Sequence, residues 1–292
     1  MPGLVDPLDQ DVPTETTSNG CFETMRAYRG RIFRLDDHLD RLYASATFLG
    51  TKAPSDRERL GRQLCQALAR SGLREAVVRV ALMPRPPEPS ITTAGTGASH
   101  DGRGGPQPGE PAQPSIVVQP VALPPESAYR RGIRVAVVPA RKFLVGSITP
   151  QAKYSARLGS VLAVMDAQLR GVDEALFMDA MGYVTESTAS NFSIVRRGEI
   201  LTPPCWLGLL AGITRDVLFE LATSLRVPIR ETPLTRHDLY NAEEAFLSST
   251  IKEVLAVTWI DGRKIGTGRP GTMTKRLRRA FGALVRRELR LH

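Results

Sequence analysis

The sequence predicts an α+β protein of two domains, on three observations. Its 292 residues exceed the usual extent of one hydrophobic core. Strand-like and helix-like stretches alternate without an internal repeat, in two runs separated by a Pro-rich join near Leu123 to Glu126. Hydrophobic residues make up 42% and charged residues 24%, near the averages of soluble globular chains, and no apolar run approaches the roughly 20 residues that span a bilayer. The expected division is residues 1–119, a linker over 120–128, and a larger unit over 129–292.

Met1 to Thr17 is acidic and shows neither a basic n-region nor an apolar h-region, so a cytoplasmic location is expected. The first element is a hairpin, Cys21 to Tyr28 and Arg31 to Leu35, turning at Arg29-Gly30. Asp36-Asp37 then offers an N-cap to a helix carrying Leu39, Leu42, Tyr43 and Ala46, and a second helix runs through Leu60, Leu64 and Leu68 to about Ser71. Residues 75–83 read as a strand.

From Pro84 to Pro114 the composition shifts to Pro, Gly, Ser and Thr, which cannot form a core and reads as a long loop. The strand I-V-V-Q-P-V follows, and after the join I-R-V-A-V-V is the next. A helix from about Ser155 to Arg170 is expected to use Leu158, Val161, Leu162 and Met165 as its apolar face. A-L-F-M-D and F-S-I-V-R are strands around a Met181-Gly182 turn, and Thr214 to Leu225 is a helix. E-E-A-F-L-S-S and L-A-V-T-W-I-D-G-R supply further strands.

The net charge of +9 raises the question of nucleic acid, but the basic run from Lys275 to Arg290 carries Leu277, Phe281, Leu284, Val285 and Leu289 at helical spacing. It reads as an amphipathic terminal helix with a solvated basic face, and no nucleic-acid partner is expected. Cys21, Cys65 and Cys205 form no C-x-x-C pair, and the four histidines share no ligand spacing, so reduced thiols and no metal are expected. The chain contains no Walker loop, Gly-x-Ser-x-Gly elbow or H-E-x-x-H. Lys153, in T-P-Q-A-K-Y-S-A-R-L, stands just before a helix, where a lysine is ordinarily only solvated.

Six blocks in order change that reading: G-C-F-E-T-M-R-A-Y, H-L-D-R-L-Y-A-S, K-Y-S-A-R-L-G-S-V-L-A, G-Y-V-T-E-S-T-A-S-N-F, A-G-I-T-R and L-S-S-T-I-K-E. Their spacing resembles that of the fold-type IV pyridoxal-phosphate enzymes: D-amino-acid transaminase, branched-chain aminotransferase and aminodeoxychorismate lyase. The resemblance covers about residues 19–83 and 131–280. It implies a small α/β N-terminal domain, a larger C-terminal pseudo-barrel domain, pyridoxal 5'-phosphate as cofactor, amino-acid and 2-oxo-acid substrates, and a homodimer.

Residue by residue, the resemblance makes Lys153 the Schiff-base lysine, which binds the cofactor aldehyde and shuttles the α-proton. Glu186 faces the pyridine nitrogen, and Asn191 lies close to the ring. Arg41 is the phosphate-binding arginine, whose fork suits phosphate oxygens, and Gly212-Ile213-Thr214 opens a helix where free N–H groups and the dipole favour an anion. Thr250 completes that cup. Arg157 stands where the lyases of the group often carry arginine. Phe22, Glu23, Arg26 and Ile251 fall near the substrate pocket. Each has a plainer reading as well: Arg41 on a helix surface, Glu186 in a surface turn, Thr214 as an N-cap, and Thr250 at a strand end.

Three departures bear on substrate. Only S-N-G precedes Cys21, where the family carries a Y-G-D-G block. The stretch from Arg85 to Pro114 replaces a glycine- and arginine-containing loop, and Ile251-Lys252 stands where small or hydroxylated residues are common. The leading expectation is an aminotransferase acting on a D-amino acid or a branched-chain amino acid. Aminodeoxychorismate lyase is the second, for which G-C-F-E-T and Arg157 speak, and a non-catalytic binding protein on the same scaffold is the third.

Overall fold

The computed structural model describes residues 20–83, 111–139, 152–155 and 158–291. Arg157 and residues 84–110 of the Pro/Gly-rich stretch lie outside the described residues. Two sheets organise the chain. The first has four strands, β1 (Cys21–Tyr28), β2 (Arg31–Ile32), β3 (Ala76–Leu82) and β4 (Pro114–Pro120), antiparallel in the order β2-β1-β3-β4. Pro114 therefore belongs to a strand and not to the loop. Against this sheet lie α1 (Leu35–Phe48) and α2 (Arg57–Ser71), whose Leu39, Leu42, Leu60, Leu64 and Leu68 are buried with Met25, Val78 and Val80. Asp56 caps α2, its side chain accepting from Arg59 N at 2.7 Å.

The expected cap of α1 is corrected. The helix begins at Leu35, directly after Arg34 in the left-handed region at φ 53, so Asp36 and Asp37 occupy its first turn. The cause is distant in sequence. Arg34 bonds Glu220 through both terminal nitrogens, at 3.0 and 2.6 Å, and Glu288 at 3.0 and 2.6 Å, and these ion pairs hold the bend that cuts β2 to two residues.

After α3 (Glu126–Arg131), nine strands follow: β5 (Ile133–Val137), β6 (Glu174–Met178), β7 (Val184–Ser187), β8 (Asn191–Arg196), β9 (Glu199–Thr202), β10 (Ile229–Glu231), β11 (Glu244–Ser249), β12 (Glu253–Ile260) and β13 (Arg263–Lys264). Eight of them run in the order β10-β9-β8-β11-β12-β5-β6-β7, β13 pairs with β12, and β7 also pairs with β8 through Glu186 and Asn191. That pairing closes six strands, β8-β11-β12-β5-β6-β7, into the barrel the resemblance implies, with Val135, Leu176, Phe192, Ile194, Leu247 and Leu255 filling its core. Closure covers the free edge of β7, which explains why the short polar strand V-T-E-S is fully buried.

Outside the barrel, α5 (Ile213–Ser224) and α7 (Thr272–Glu288) share a core in which Leu277, Phe281, Leu284 and Val285 are buried beside Leu218 and Phe246. The helical spacing read from residues 275–290 thus marks a buried stripe. The short helix α6 (Arg236–Tyr240) carries a capping box between Thr235 and Asp238.

The face expected of α4 (Leu158–Leu169) is reversed. Ser160, Ala163 and Ala167 turn inward onto Ala175 and Phe177, whereas Leu158, Val161, Leu162, Met165 and Leu169 are exposed, Leu169 at 88%. Small residues let the helix axis approach β6 closely, so its larger apolar side chains point away from the sheet. No helix of the described residues is long and apolar enough to cross a membrane.

Candidate active site

β1 places Phe22 and Glu23 on opposite faces, as strand periodicity requires. Phe22 meets the lysine segment: its N–H donates to Lys153 O at 3.0 Å, and Lys153 Nζ lies 4.9 Å from its ring centroid. The backbone of Lys153 is held from α1 as well, its N–H donating to Ser45 Oγ at 3.0 Å. The same hydroxyl donates to Arg41 O at 2.8 Å, one helical turn back, so Lys153 and Arg41 are anchored through one side chain.

Glu23 points the other way, into complete burial, which corrects its expected place beside a substrate. Arg41 Nε donates to Glu23 Oε1 at 2.6 Å and Nη2 to Oε2 at 2.9 Å, while His38 Nδ1 lies 2.7 Å from Oε2. Burial alone would push this carboxyl up, but the Arg41 guanidinium, with His38 beside it, holds it well below the usual carboxylate range. Burial also lowers His38, so the neutral ring donates its Nδ1–H to the carboxylate. Glu23 thus fixes the plane of the Arg41 fork.

Arg41 reaches the second sheet through Nη1, which donates to Ala211 O at 2.7 Å. Gly212 follows, the N-cap of α5, without a side-chain cap. A Cβ at Gly212 would fall inside van der Waals contact of Asn191 Oδ1. Asn191 Nδ2 in turn donates to Leu210 O at 2.9 Å and to Glu186 Oε2 at 3.3 Å, and Glu186 Oε1 accepts from Leu210 N at 3.2 Å. Tyr154, next to Lys153, completes the circuit: burial and then the Glu186 charge push its phenol up, which keeps the hydroxyl protonated. Lys153, Tyr154, Glu186, Asn191, Gly212 and Arg41 therefore form a closed ring of neighbours drawn from α1, the lysine segment, the β7–β8 hairpin and the start of α5.

The Thr250–Ile251 turn joins β11 to β12. Ile251 is buried and packs on Val77 of the first sheet and Val121 just beyond it, so its side chain faces protein. Arg26 backs this turn: Nη1 donates to Glu253 Oε1 at 2.6 Å and contacts Ile251 O at 3.5 Å, and the guanidinium lies 4.2 Å from the Tyr28 ring centroid. Its ion pair with Glu253 braces the turn. Glu253 holds φ 55, a left-handed conformation costing about 1–3 kcal/mol, against bonds from Arg26 and from Tyr28 Oη at 2.9 Å. Behind the same turn, buried Lys252 pairs with Glu174 at 2.7 Å and contacts Ser190 Oγ at 3.4 Å, while Thr188 Oγ1 donates to Glu174. Lys252 thus ties the turn to the β7–β8 hairpin that carries Glu186 and Asn191.

The residues fit an aromatic phosphate. Arg41 has five N–H donors, and its three bonds among the described residues leave two. These lie beside the uncapped start of α5, where backbone N–H groups and the helix dipole suit an anion. Ser248 pairs with Asn191 across the ladder, and its Oγ is buried without a partner among the described residues. An orphaned hydroxyl on the face that carries Asn191 is what a polar ligand would satisfy. Tyr154, Ser45 and His38 were not singled out in the sequence, and Lys252 was noted only as a departure beside Ile251. Their signal lay only in adjacency to Lys153, Arg41 and Ile251.

Comparison with known proteins follows the same lines. A family model described as amino-transferase class IV matches residues 20–260. A putative branched-chain-amino-acid aminotransferase of Methanocaldococcus jannaschii is 37% identical over 263 residues, covering 90% of this chain and 86% of its own. The branched-chain-amino-acid aminotransferase of Pseudomonas aeruginosa is 32% identical over 281 residues, covering 94% and 86%. Among solved structures, a T.th. branched-chain amino acid aminotransferase with pyridoxamine 5'-phosphate aligns with a TM-score of 0.81 at 30% identity, covering 94% of this chain and 90% of that one.

Proposed function

The chain belongs to the class IV aminotransferase family and is a pyridoxal-phosphate-dependent transaminase; from that premise we propose that it moves the amino group of a branched-chain amino acid to a 2-oxo acid. The observation that carries the reading is the closed ring from Lys153 through Glu186 and Asn191 to Gly212 and Arg41. Branched-chain substrates rest on the relatives' names.

The bound cofactor supplies an electron sink for the charge left when the substrate α-proton departs. Lys153 Nζ would hold the cofactor aldehyde, and the same amine would serve as the base that takes the substrate α-proton and returns it. Glu186, oriented by Leu210 N and Asn191, would face the cofactor ring nitrogen and favour its protonated form. Arg41, the start of α5 and Thr250 would hold the phosphate, and Tyr154 offers a protonated phenol beside Lys153. Phe22 walls the lysine side and helps exclude water. The chain divides at residues 120–128, and it acts as a homodimer. The exposed face of Leu158, Val161, Leu162 and Met165 supports such a contact, because large apolar patches mark association surfaces.

The test is a half-reaction followed in the visible spectrum, with L-leucine, L-valine, D-alanine and aminodeoxychorismate offered separately. L-leucine or L-valine should bleach the cofactor band and release the 2-oxo acid, and Lys153→Ala should not form the native band. Bleaching by D-alanine alone, or pyruvate release from aminodeoxychorismate, would refute the substrate assignment.

A further inference from the structure

At the end of β12 away from the Thr250–Ile251 turn lies a groove of about 660 Å³, bounded by the β12–β13 hairpin, β5, the end of α4 and α6. Glu253 and Trp259 are six residues apart on this strand, on the order of 20 Å at about 3.3 Å per residue, so the groove is separate from the ring around Lys153. Arg134, Arg170, Arg236 and Arg263 line it.

Its single lining carboxylate is already engaged. Asp261 Oδ1 accepts from Val137 N at 2.7 Å and Oδ2 from the Tyr240 hydroxyl at 2.7 Å. Only Arg170 has an acidic partner, Asp166 at 2.9 Å one turn back along α4. Among the described residues the guanidiniums of Arg134, Arg236 and Arg263 have no carboxylate partner, the Asp173 carboxylate being taken up by Arg134 N–H at 2.8 Å, and two of the three guanidiniums are held in place. Arg134 Nη2 donates to Gly171 O at 2.8 Å, and the Arg263 guanidinium lies 4.4 Å from the Tyr240 ring centroid. Guanidiniums of one sign in a concave wall raise the local potential and concentrate anions, and orienting them in advance reduces the entropy lost on binding. Trp259, 36% exposed on the same wall, adds a flat apolar face.

We propose that this groove binds an organic polyphosphate bearing a flat ring, of the nucleoside di- or triphosphate class, with its phosphates on the arginines and its ring on Trp259. A monophosphate brings a charge of only about −1.5 to −2 at neutral pH, less than the three arginines without carboxylates call for, and a diphosphate makes up the difference. Arginine forks match phosphate oxygens in pairs, and a guanidinium-rimmed tryptophan suits a heteroaromatic base.

The chain has two tryptophans, so Trp206→Phe leaves Trp259 as the sole reporter. The full-length holoenzyme carrying that change is titrated with ADP, excited at the red edge of tryptophan absorption. The expected result is a saturable change in Trp259 emission, weakened at least tenfold when Arg236→Ala and Arg263→Ala are added, with kcat of the transaminase unchanged. Inorganic tripolyphosphate, which has charge but no ring, should bind more weakly; equal binding would overturn the contact with Trp259. No emission change and no heat of binding at millimolar ADP would overturn the proposal, and so would binding that the two arginine substitutions leave intact.

Discussion

Gly212→Ala tests whether the phosphate cup and the ring-nitrogen carboxylate are mechanically linked. The new Cβ would occupy the space of Asn191 Oδ1, so Asn191 must rotate away. Rotation breaks its bond to Leu210 O at 2.9 Å and its bond to Glu186 at 3.3 Å. A neutral hydrogen bond contributes about 0.5–1.5 kcal/mol and one to a charged group about 1.5–3, so the expected cost is about 2–4 kcal/mol. The loss divides between folding and cofactor affinity, because the displaced atoms border both. Urea unfolding of the apo form gives the first share, and fluorescence titration with pyridoxal phosphate the second. The decisive comparison is the double variant. Asn191→Ala removes the obstructing oxygen while losing the same bonds, so adding Gly212→Ala to it should cost only a few tenths of a kcal/mol more. A full further loss of about 2 kcal/mol in the double variant would refute the link, since the methyl group would then be striking something other than Asn191.

Lys252→Met keeps length but strands Glu174 in a buried site, and should cost about 3–5 kcal/mol by urea unfolding, whereas Lys252→Met with Glu174→Met should return close to wild type. A double variant as unstable as the single would show that the pair contributes more than mutual neutralisation. His38 has a folded value below its unfolded one, so the unfolded chain takes up the extra proton. Its contribution is present above about pH 6.5 and is lost as pH falls from there toward the folded value. Glu23, also depressed in the fold, keeps its contribution until pH falls below about 4.3 and loses it through its folded value. Unfolding free energies at pH 8, 6 and 5 should therefore decline in the wild type and decline less in His38→Gln; parallel slopes would refute this.

Local chemistry was enough for the elements whose signals repeat within a few residues. The spacing of Leu277, Phe281 and Leu284 marks α7 because one helix face meets one core, and Leu60, Leu64 and Leu68 mark α2 for the same reason. The short apolar runs in E-E-A-F-L-S-S and in V-V-R-V-A-L mark β11 and β3, each paired on both sides in its sheet. The candidate site was legible differently: Lys153, Glu186, Asn191 and Arg41 were found from six blocks in order, not from periodicity.

Tertiary structure decided what depends on partners distant in the chain. The strand V-T-E-S has too few residues to show a period, and its burial follows from β7 meeting β8 to close the barrel. The start of α1 follows from Glu220 and Glu288, nearly 200 residues or more away, holding Arg34 in a left-handed bend. The outward face of α4 looked like a core stripe, because a sequence shows that apolar residues share a helix face but not which face the small residues allow to approach the sheet. Glu23 and Arg26 stand on one strand with similar polarity, yet Glu23 faces Arg41 and His38 while Arg26 faces Glu253. Residue types and their order determined the chemistry available to this protein. Long-range pairing of charges and closure of the barrel decided which groups are spent on one another and which remain for a ligand, because the cost of burying a charge depends on the partner that only the folded chain brings to it.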